Sequence, residues 1–276
     1  MAYSMLTNIS SLGAQRNLSK TTAMLAKSIE RLSSGMRINK SADDAAGLAI
    51  SSKMSAHVRG LAQSQRNAND AVSLIQTAEG AMNEISGLLT RMRELSVQAA
   101  TGGTLTTSDR SALDQEFQAL ESEIDRIVNV TKYNGSNLLN GAISSGVSFQ
   151  VGILNSGNDR ISVTISTALS SSLGTGTSSL VTATKAQLAI TSVDSAIDKI
   201  SSRRNSLGAA QNRLAVTISN LGSIHENLSA ANSRIRDVDV ASETATLARN
   251  QILMQAGVSV LAQANTMPGL ALSLLA

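Results

Sequence analysis

Proline is all but missing from this chain. Among 276 residues it occurs once, at Pro268, so almost nothing upstream is barred from continuing a helix by a fixed φ or a missing N–H. Against that permissive background the apolar residues fall into heptads. Leu18, Leu25 and Leu32 are seven apart, with Thr22, Ile29 and Met36 four residues after each, the a/d stripe of a first helix. A second stripe runs Met54, Leu61, Ala68, Ile75, Met82, Leu89. The third and longest runs Val193, Ile200, Leu207, Leu214, Leu221, Leu228, Ile235. A fourth starts in a new register at Val240 and continues through Leu247, Met254 and Leu261. The seam is interrupted between Ile235 and Val240, where the segment Arg234-Ile235-Arg236-Asp237-Val238-Asp239 concentrates charge.

A lone helix cannot satisfy stripes of this length, so they demand partners. The middle stripes predict an intramolecular bundle. The two ends differ, because neither Met1–Gln15 nor Asn250–Ala276 carries a charge and neither has the bulk for a core of its own. Stripes at opposite ends, matched in style, predict that the ends pair. In a solitary subunit they are expected to fray and to order on assembly.

Between the stripes, a shorter helix is predicted from about Thr107 to Val128. Ser108 is its expected N-cap, and Leu113, Phe117, Leu120 and Ile124 form its apolar face. The turn Thr101-Gly102-Gly103-Thr104 sets it antiparallel to the long helix before it. Tyr133-Asn134-Gly135-Ser136 is a turn signal. The period then changes to two. Val147, Phe149, Val151 and Ile153 alternate, as do Ile161, Val163 and Ile165, which predicts a β-hairpin over about 146–166 closed by a short loop at Asn155-Ser156-Gly157-Asn158. Residues 166–184 are Ser, Thr and Gly in the main, the composition of a surface linker open to insertion. The expected fold is therefore mainly α, a long antiparallel, coiled-coil helical rod with one small β-hairpin. Its N- and C-terminal helices are paired at one tip and the middle of the sequence lies at the other.

Composition narrows function. Aromatics are 1% and tryptophan is absent, whereas a ligand pocket normally needs aromatics. There is no cysteine, which removes disulfides and thiolate chemistry. The net charge of +3 is spread singly, without interleaved aromatics, so nucleic acid is not expected as a partner. His57 and His225 are the only histidines. His225-Glu226 is half of a zinc-protease motif, but Ser229 stands where the second histidine belongs. No nucleophile elbow and no phosphate-binding glycine loop is present. The reading is of a protein that is not an enzyme and has no cofactor and no metal. No cleaved signal peptide is legible. The uncharged C-terminal run includes Asn250, Gln251, Gln255, Gln263 and Asn265, too polar for membrane insertion.

Several segments also resemble those of bacterial flagellins. Glu30-Arg31-Leu32-Ser33-Ser34-Gly35-Met36-Arg37-Ile38-Asn39 is similar to the family signature ERLSSGLRIN, and Ala42-Asp43-Asp44-Ala45-Ala46-Gly47 to its DDAAG turn. Arg66-Asn67-Ala68-Asn69-Asp70, Arg93-Glu94-Leu95 with Val97-Gln98, and Glu123-Ile124-Asp125-Arg126 are flagellin-like. So are Gln251-Ile252-Leu253, Ser259 through Asn265, and the closing Leu272-Ser273-Leu274-Leu275. The resemblance covers roughly 1–165 and 185–276.

It implies a structural subunit that self-assembles, as a helical homopolymer, into the extracellular flagellar filament for motility. In this minimal form the outer variable domains are lacking. Residues 1–44 with 236–276 would form the inner tube, and 45–235 the rod-like domain with the hairpin and the 166–184 linker. Leu18, Leu25, Ile29, Leu32, Val240, Leu247, Met254 and Leu261 would carry the inner coiled coil. Asp43, Asp44, Arg234, Arg236, Asp237 and Asp239 would form a charged joint between the domains. Arg91, Leu95 and Glu116 match positions recognised by an animal Toll-like receptor, and Arg91 and Leu95, four apart, share one helix face. The implied partners are an export chaperone at the C-terminal helices, the filament cap and the hook-junction proteins. The implied route is flagellar type III export. A hook–filament junction protein, or a secreted membrane-inserting helical protein, is the alternative.

Overall fold

The computed structural model describes the backbone of residues 7–273 and side chains as far as Met267. The uncharged residues Met1–Leu6 and the end of the Leu272–Leu275 motif lie outside the described residues. Helices dominate: α1 (Ile9–Ser34), α2 (Ala45–Ala99), α3 (Thr107–Val130), a one-turn α4 (Ser170–Leu173), α5 (Ala183–Arg236) and α6 (Val240–Ser273). Two antiparallel hairpins interrupt them, β1 (Lys132–Tyr133) with β2 (Ser136–Asn137), and β3 (Val147–Gln150) with β4 (Arg160–Val163). Both terminal helices are formed in the single chain, where the sequence led us to expect fraying.

The chain divides into two compact units, residues 1–56 with 227–276, and His57–Glu226. The divisions fall within α2 and α5, away from the 44/45 and 235/236 boundaries read from the sequence.

Helix ends are set by short-range chemistry. Gly35 terminates α1 at φ 70°, a left-handed conformation that costs a glycine nothing. Asp44 starts α2, its carboxylate accepting the Gly47 N–H at 2.8 Å. A Cβ at Gly47 would stand 2.8 Å from Ile38 Cδ1, so this tight corner excludes any larger residue. Thr106, not the expected Ser108, caps α3. Its hydroxyl accepts the Asp109 N–H while the Asp109 carboxylate accepts the Thr106 N–H at 2.9 Å, a reciprocal capping box that Ser108, two residues later and inside the helix, is not placed to make.

The central unit has one core. From α2 come Ile75, Met82, Ile85, Leu89, Met92 and Leu95; from α3, Phe117, Ile124 and Val128; from α5, Val193, Ile200 and Leu207. Ile75, Met82 and Leu89 belong to the second stripe and Val193, Ile200 and Leu207 to the third. Surface ion pairs tie the same helices together, Arg93 to Asp194 at 2.6 Å and Arg91 to Glu116 at 2.9 Å. In the β3–β4 hairpin Ile161 and Val163 point into the core and Arg160 and Ser162 point out, the period-two pattern that marked the strand. Its loop is longer than expected, running from Val151 to Asp159, because Val151 and Gly152 both donate to the Asp159 carbonyl and leave the ladder.

The stretch read as a surface linker is instead packed. Ala168, Ser170, Leu173, Thr175 and Leu180 are all buried. Carboxylates of α3 fasten it: Asp125 accepts the Ser170 N–H at 2.8 Å and its hydroxyl at 2.9 Å, and Asp114 accepts the Leu180 N–H. Lys199 of α5 donates to the Leu173 carbonyl at 2.8 Å, at the end of α4. Burial pushes the Glu121 carboxyl up, with Asp125 beside it adding to the rise and a hydrogen bond from Ser170 opposing it.

Candidate assembly interface

The terminal unit is built on α1 and α6, which pack along each other. They run antiparallel. Asn8 donates to the Ala264 carbonyl at 2.8 Å and Ser11 to Asn265 at 2.7 Å near one end, and Arg31 meets Glu243 at 3.5 Å near the other. Asn8 also caps α1, accepting the Ser11 N–H at 3.0 Å. The contacts within each pair span more than two hundred residues of sequence, which confirms that the two ends of the chain meet.

The helices touch through small residues. On α1, Ala14, Thr21 and Ser28 recur every seven residues, the first two half-buried and Ser28 buried; Ser11, buried as well, stands at the head of the leucine column. On α6 the matching column is Asn250, Gly257 and Ala264. A Cβ on Gly257 would lie 3.4 Å from Leu18 Cδ1, so the backbones approach closely there. This corrects the companion column of the first stripe. It stands three residues after each leucine (Thr21, Ser28), not four (Thr22, Ile29), and Thr22 and Ile29 are exposed. A search for bulky apolar residues passes over such a column; small residues recurring every seven on both helices are the signal that finds it.

The bulky column is only half satisfied. Leu18, Leu25, Leu32, Leu247, Met254 and Leu261 are each half-buried, while Ile29 and Val240 are 51% and 58% exposed. One antiparallel partner covers one side of each leucine and leaves the other to water. Further apolar residues lie open beyond them. On α6, Leu253, Val260 and Met267 recur every seven residues at 51%, 57% and 44% exposure, a second heptad column more open still. Ile9, Leu12 and Met24 are exposed on α1. A helix pair with apolar residues on so many sides is built to be surrounded by other helices.

The six charged residues of the expected joint gather in the terminal unit, at the two breaks in the helices. Residues 35–38 and 235–238 pair there: the Arg37 N–H donates to the Arg236 carbonyl at 2.7 Å, Val238 N–H to the Gly35 carbonyl at 3.0 Å, and Met36 bridges Asp237. The Arg37 side chain caps the end of α5 through the Ile235 carbonyl. Asp239 caps α6, accepting the Ala241 N–H at 3.0 Å. Asp43 sits against Lys27 at 2.6 Å and accepts the Asn39 and Lys40 N–H groups. The Lys27 ammonium, with the Lys40 and Asn39 amides, holds its carboxyl at about 2, below the ordinary 3.8. Asp44 caps α2 as described. Arg234 is exposed, and Arg236 buries its Nε without a hydrogen-bond partner.

Of the three residues matched to receptor recognition, two are at the surface. Arg91 donates to Glu116 through Nε and Nη2, at 3.0 and 2.9 Å, and to Glu94 through Nη1. Leu95 is not at the surface. It is 1% accessible, because the core-facing arc of α2 that carries Leu89, Met92 and Ala99 takes it in as well. Being four apart places two side chains on neighbouring turns, but one can lie at the edge of the core and the other outside it.

Among the described residues, no three His, Asp or Glu side chains converge to hold a metal ion, and no helix is long and apolar enough to cross a membrane.

Comparison with known proteins agrees with this architecture. Residues 5–144 match the model of the bacterial flagellin N-terminal helical region, and residues 190–275 that of the C-terminal helical region. The chain is 46% identical over 270 residues to a flagellin of Halalkalibacterium halodurans, covering 97% of this chain and 98% of that one. It is 41% identical to a flagellin of Treponema pallidum, with the same coverage of both. Flagellin A of Vibrio anguillarum is 51% identical over 152 residues, which are 55% of this chain and 40% of that longer one. Among solved structures, Bacillus cereus flagellin superposes with a TM-score of 0.50 at 35% identity, over 60% of this chain and 94% of that one.

Proposed function

This chain belongs to the bacterial flagellin family, and on that premise we propose how its residues carry out the family's work. The protein is a structural subunit of the extracellular flagellar filament, assembles with copies of itself, and is not an enzyme. In our reading residues 1–44 and 236–276 form the inner tube, and 45–235 the rod-like domain around it. The observation that carries this is the half-covered stripe. Leu18, Leu25, Leu32, Leu247, Met254 and Leu261 each have one side left for a neighbour, and the α6 column at Leu253, Val260 and Met267 is more open still, at 51%, 57% and 44% exposure. Burying one such side chain fully is worth about 1.5–3 kcal/mol and roughly half of that remains for each, so the whole set, and not any few of them, is needed to match an association cost of about 4–15 kcal/mol.

Ile29 and Val240 then contribute as outward contacts of the tube. The charged joint, with Asp43, Asp44 and the 234–239 segment, fixes the angle at which the terminal helices leave the rod. The finer parts of the reading follow from family membership. They are export through the flagellar type III route, a chaperone on the exposed face of α6, a cap that adds subunits, and hook-junction proteins at the base. Recognition by an animal Toll-like receptor would rest on Arg91 and Glu116, which stand at the surface, and not on direct contact with Leu95.

The test is the double substitution Leu25→Asp and Leu247→Asp, with polymerisation from filament seeds followed by negative-stain electron microscopy. Each carboxylate placed in a helix seam carries an unpaired charge into apolar surroundings. We expect no filaments, while limited proteolysis still leaves a resistant core near residues 57–226. Normal filaments from the double mutant would overturn the assignment.

A further inference from the structure

With no cysteine in the chain, methionine is its only oxidisable sulfur, and its nine methionines are unevenly placed. The central unit holds two, Met82 and Met92, both fully buried. The other seven belong to the terminal unit. Met1 and Met5 lie outside the described residues. Met36, Met54 and Met254 are half-buried, and Met24 and Met267 are 57% and 44% exposed. Met267 ends the open heptad column of α6, and Met24 lies on the open side of α1. Thioethers concentrated on a surface meant for several neighbours suit packing that must adapt, because the side chain is unbranched and polarisable. The same exposure leaves them open to attack.

We infer that Met24 and Met267 are two separate oxidation-sensitive positions on the α1–α6 pair, that their oxidation blocks entry of the free subunit into the filament, and that both are closed off once the subunit is in place. The inference rests on the assembly reading above. The oxidant class is a hydroperoxide, hydrogen peroxide in the simplest case. The thioether sulfur attacks the terminal oxygen, the O–O bond breaks as the S–O bond forms, and the departing hydroxide takes a proton and leaves as water. Sulfur loses two electrons and the peroxide is reduced. The sulfoxide is polar, and in a helix seam it would be buried without a donor to meet it.

The experiment treats depolymerised full-length protein and preformed filaments with the same dilute hydrogen peroxide, removes the oxidant, and maps sulfoxides by peptide mass spectrometry. Seeded polymerisation is then measured by sedimentation. In the free subunit Met24 and Met267 should oxidise first and Met82 and Met92 should stay reduced. Polymer yield at a fixed subunit concentration should fall at least ~tenfold, the scale of one buried unpaired polar group. In filaments Met24 and Met267 should be protected. The variant M24L/M267L should keep its yield after peroxide. Full sulfoxide at both positions with unchanged yield would overturn the inference. So would equal oxidation in subunits and filaments, a readout that stands even if the leucine variant assembles poorly. Failure of the untreated protein to polymerise would instead sink the filament reading on which the inference stands.

Discussion

Asp43 shows how much one half-buried carboxylate can organise. It holds Lys27 and two backbone N–H groups at the corner between α1 and α2. Its folded-state value, about 2, lies below its ordinary 3.8. The charged form is therefore favoured by folding, and the stability it contributes is present above its ordinary value and lost as pH falls toward 2. Thermal melts of the wild type and Asp43→Asn should differ at neutral pH, with the wild type more stable, and should converge as the pH is lowered from 4 to 2. Glu121 has the opposite sign. Burial raises its value, so its charge opposes folding, and Glu121→Gln should melt higher than wild type at pH 7 with the difference shrinking in acid. Neither effect could be read from the sequence. DDAAG marks a turn, but only the fold brings Lys27 to Asp43. For the same reason the burial of Leu95 was not legible. The heptad tells which residues share a face, and the packing of α3 and α5 decides how wide that face is.

At the scale of elements, polar composition proved a poor guide where each polar group has its own partner. Residues 166–184 have no periodicity and few bulky side chains, yet the segment is anchored by Asp125, Asp114 and Lys199. Asp125→Ala should cost about 1–2 kcal/mol, the range for losing a helix cap, measured by urea denaturation. It should also open residues 170–180 to proteolysis. The α1–α6 pair is the reverse case, in which the leucines were visible and the contact surface was not. Ser11, Ser28, Asn250, Gly257 and Ala264 set how near the helices come. Gly257→Leu should force them apart at Leu18, at about 1–3 kcal/mol, and lower polymer yield without altering the melting of the central unit.

For the molecule as a whole, the long helices and the pairing of the ends were legible because heptads over a proline-free chain admit few other solutions. The helix boundaries were less so, being set by single hydrogen bonds at Thr106, Asp44 and Asp239. Phe117, the bulkiest of the fully buried side chains, joins α3 to the central core, and Phe117→Ala should cost about 3–5 kcal/mol by calorimetry.

Asn8 finds its partner carbonyl at Ala264, 256 residues later. Bringing such distant points together costs about 5 kcal/mol of chain entropy if nothing between them is ordered, and less once the Ser55–Asn232 contact has shortened the loop. More consequential is the order of events on the ribosome. The first helix emerges long before its partner exists, and it can be completed only by a chain translated to its final helix. A product broken off early, however well its middle has folded, offers a solitary α1 with no Gly257 to receive Leu18. The closing contact therefore forms only in a chain that already carries α6.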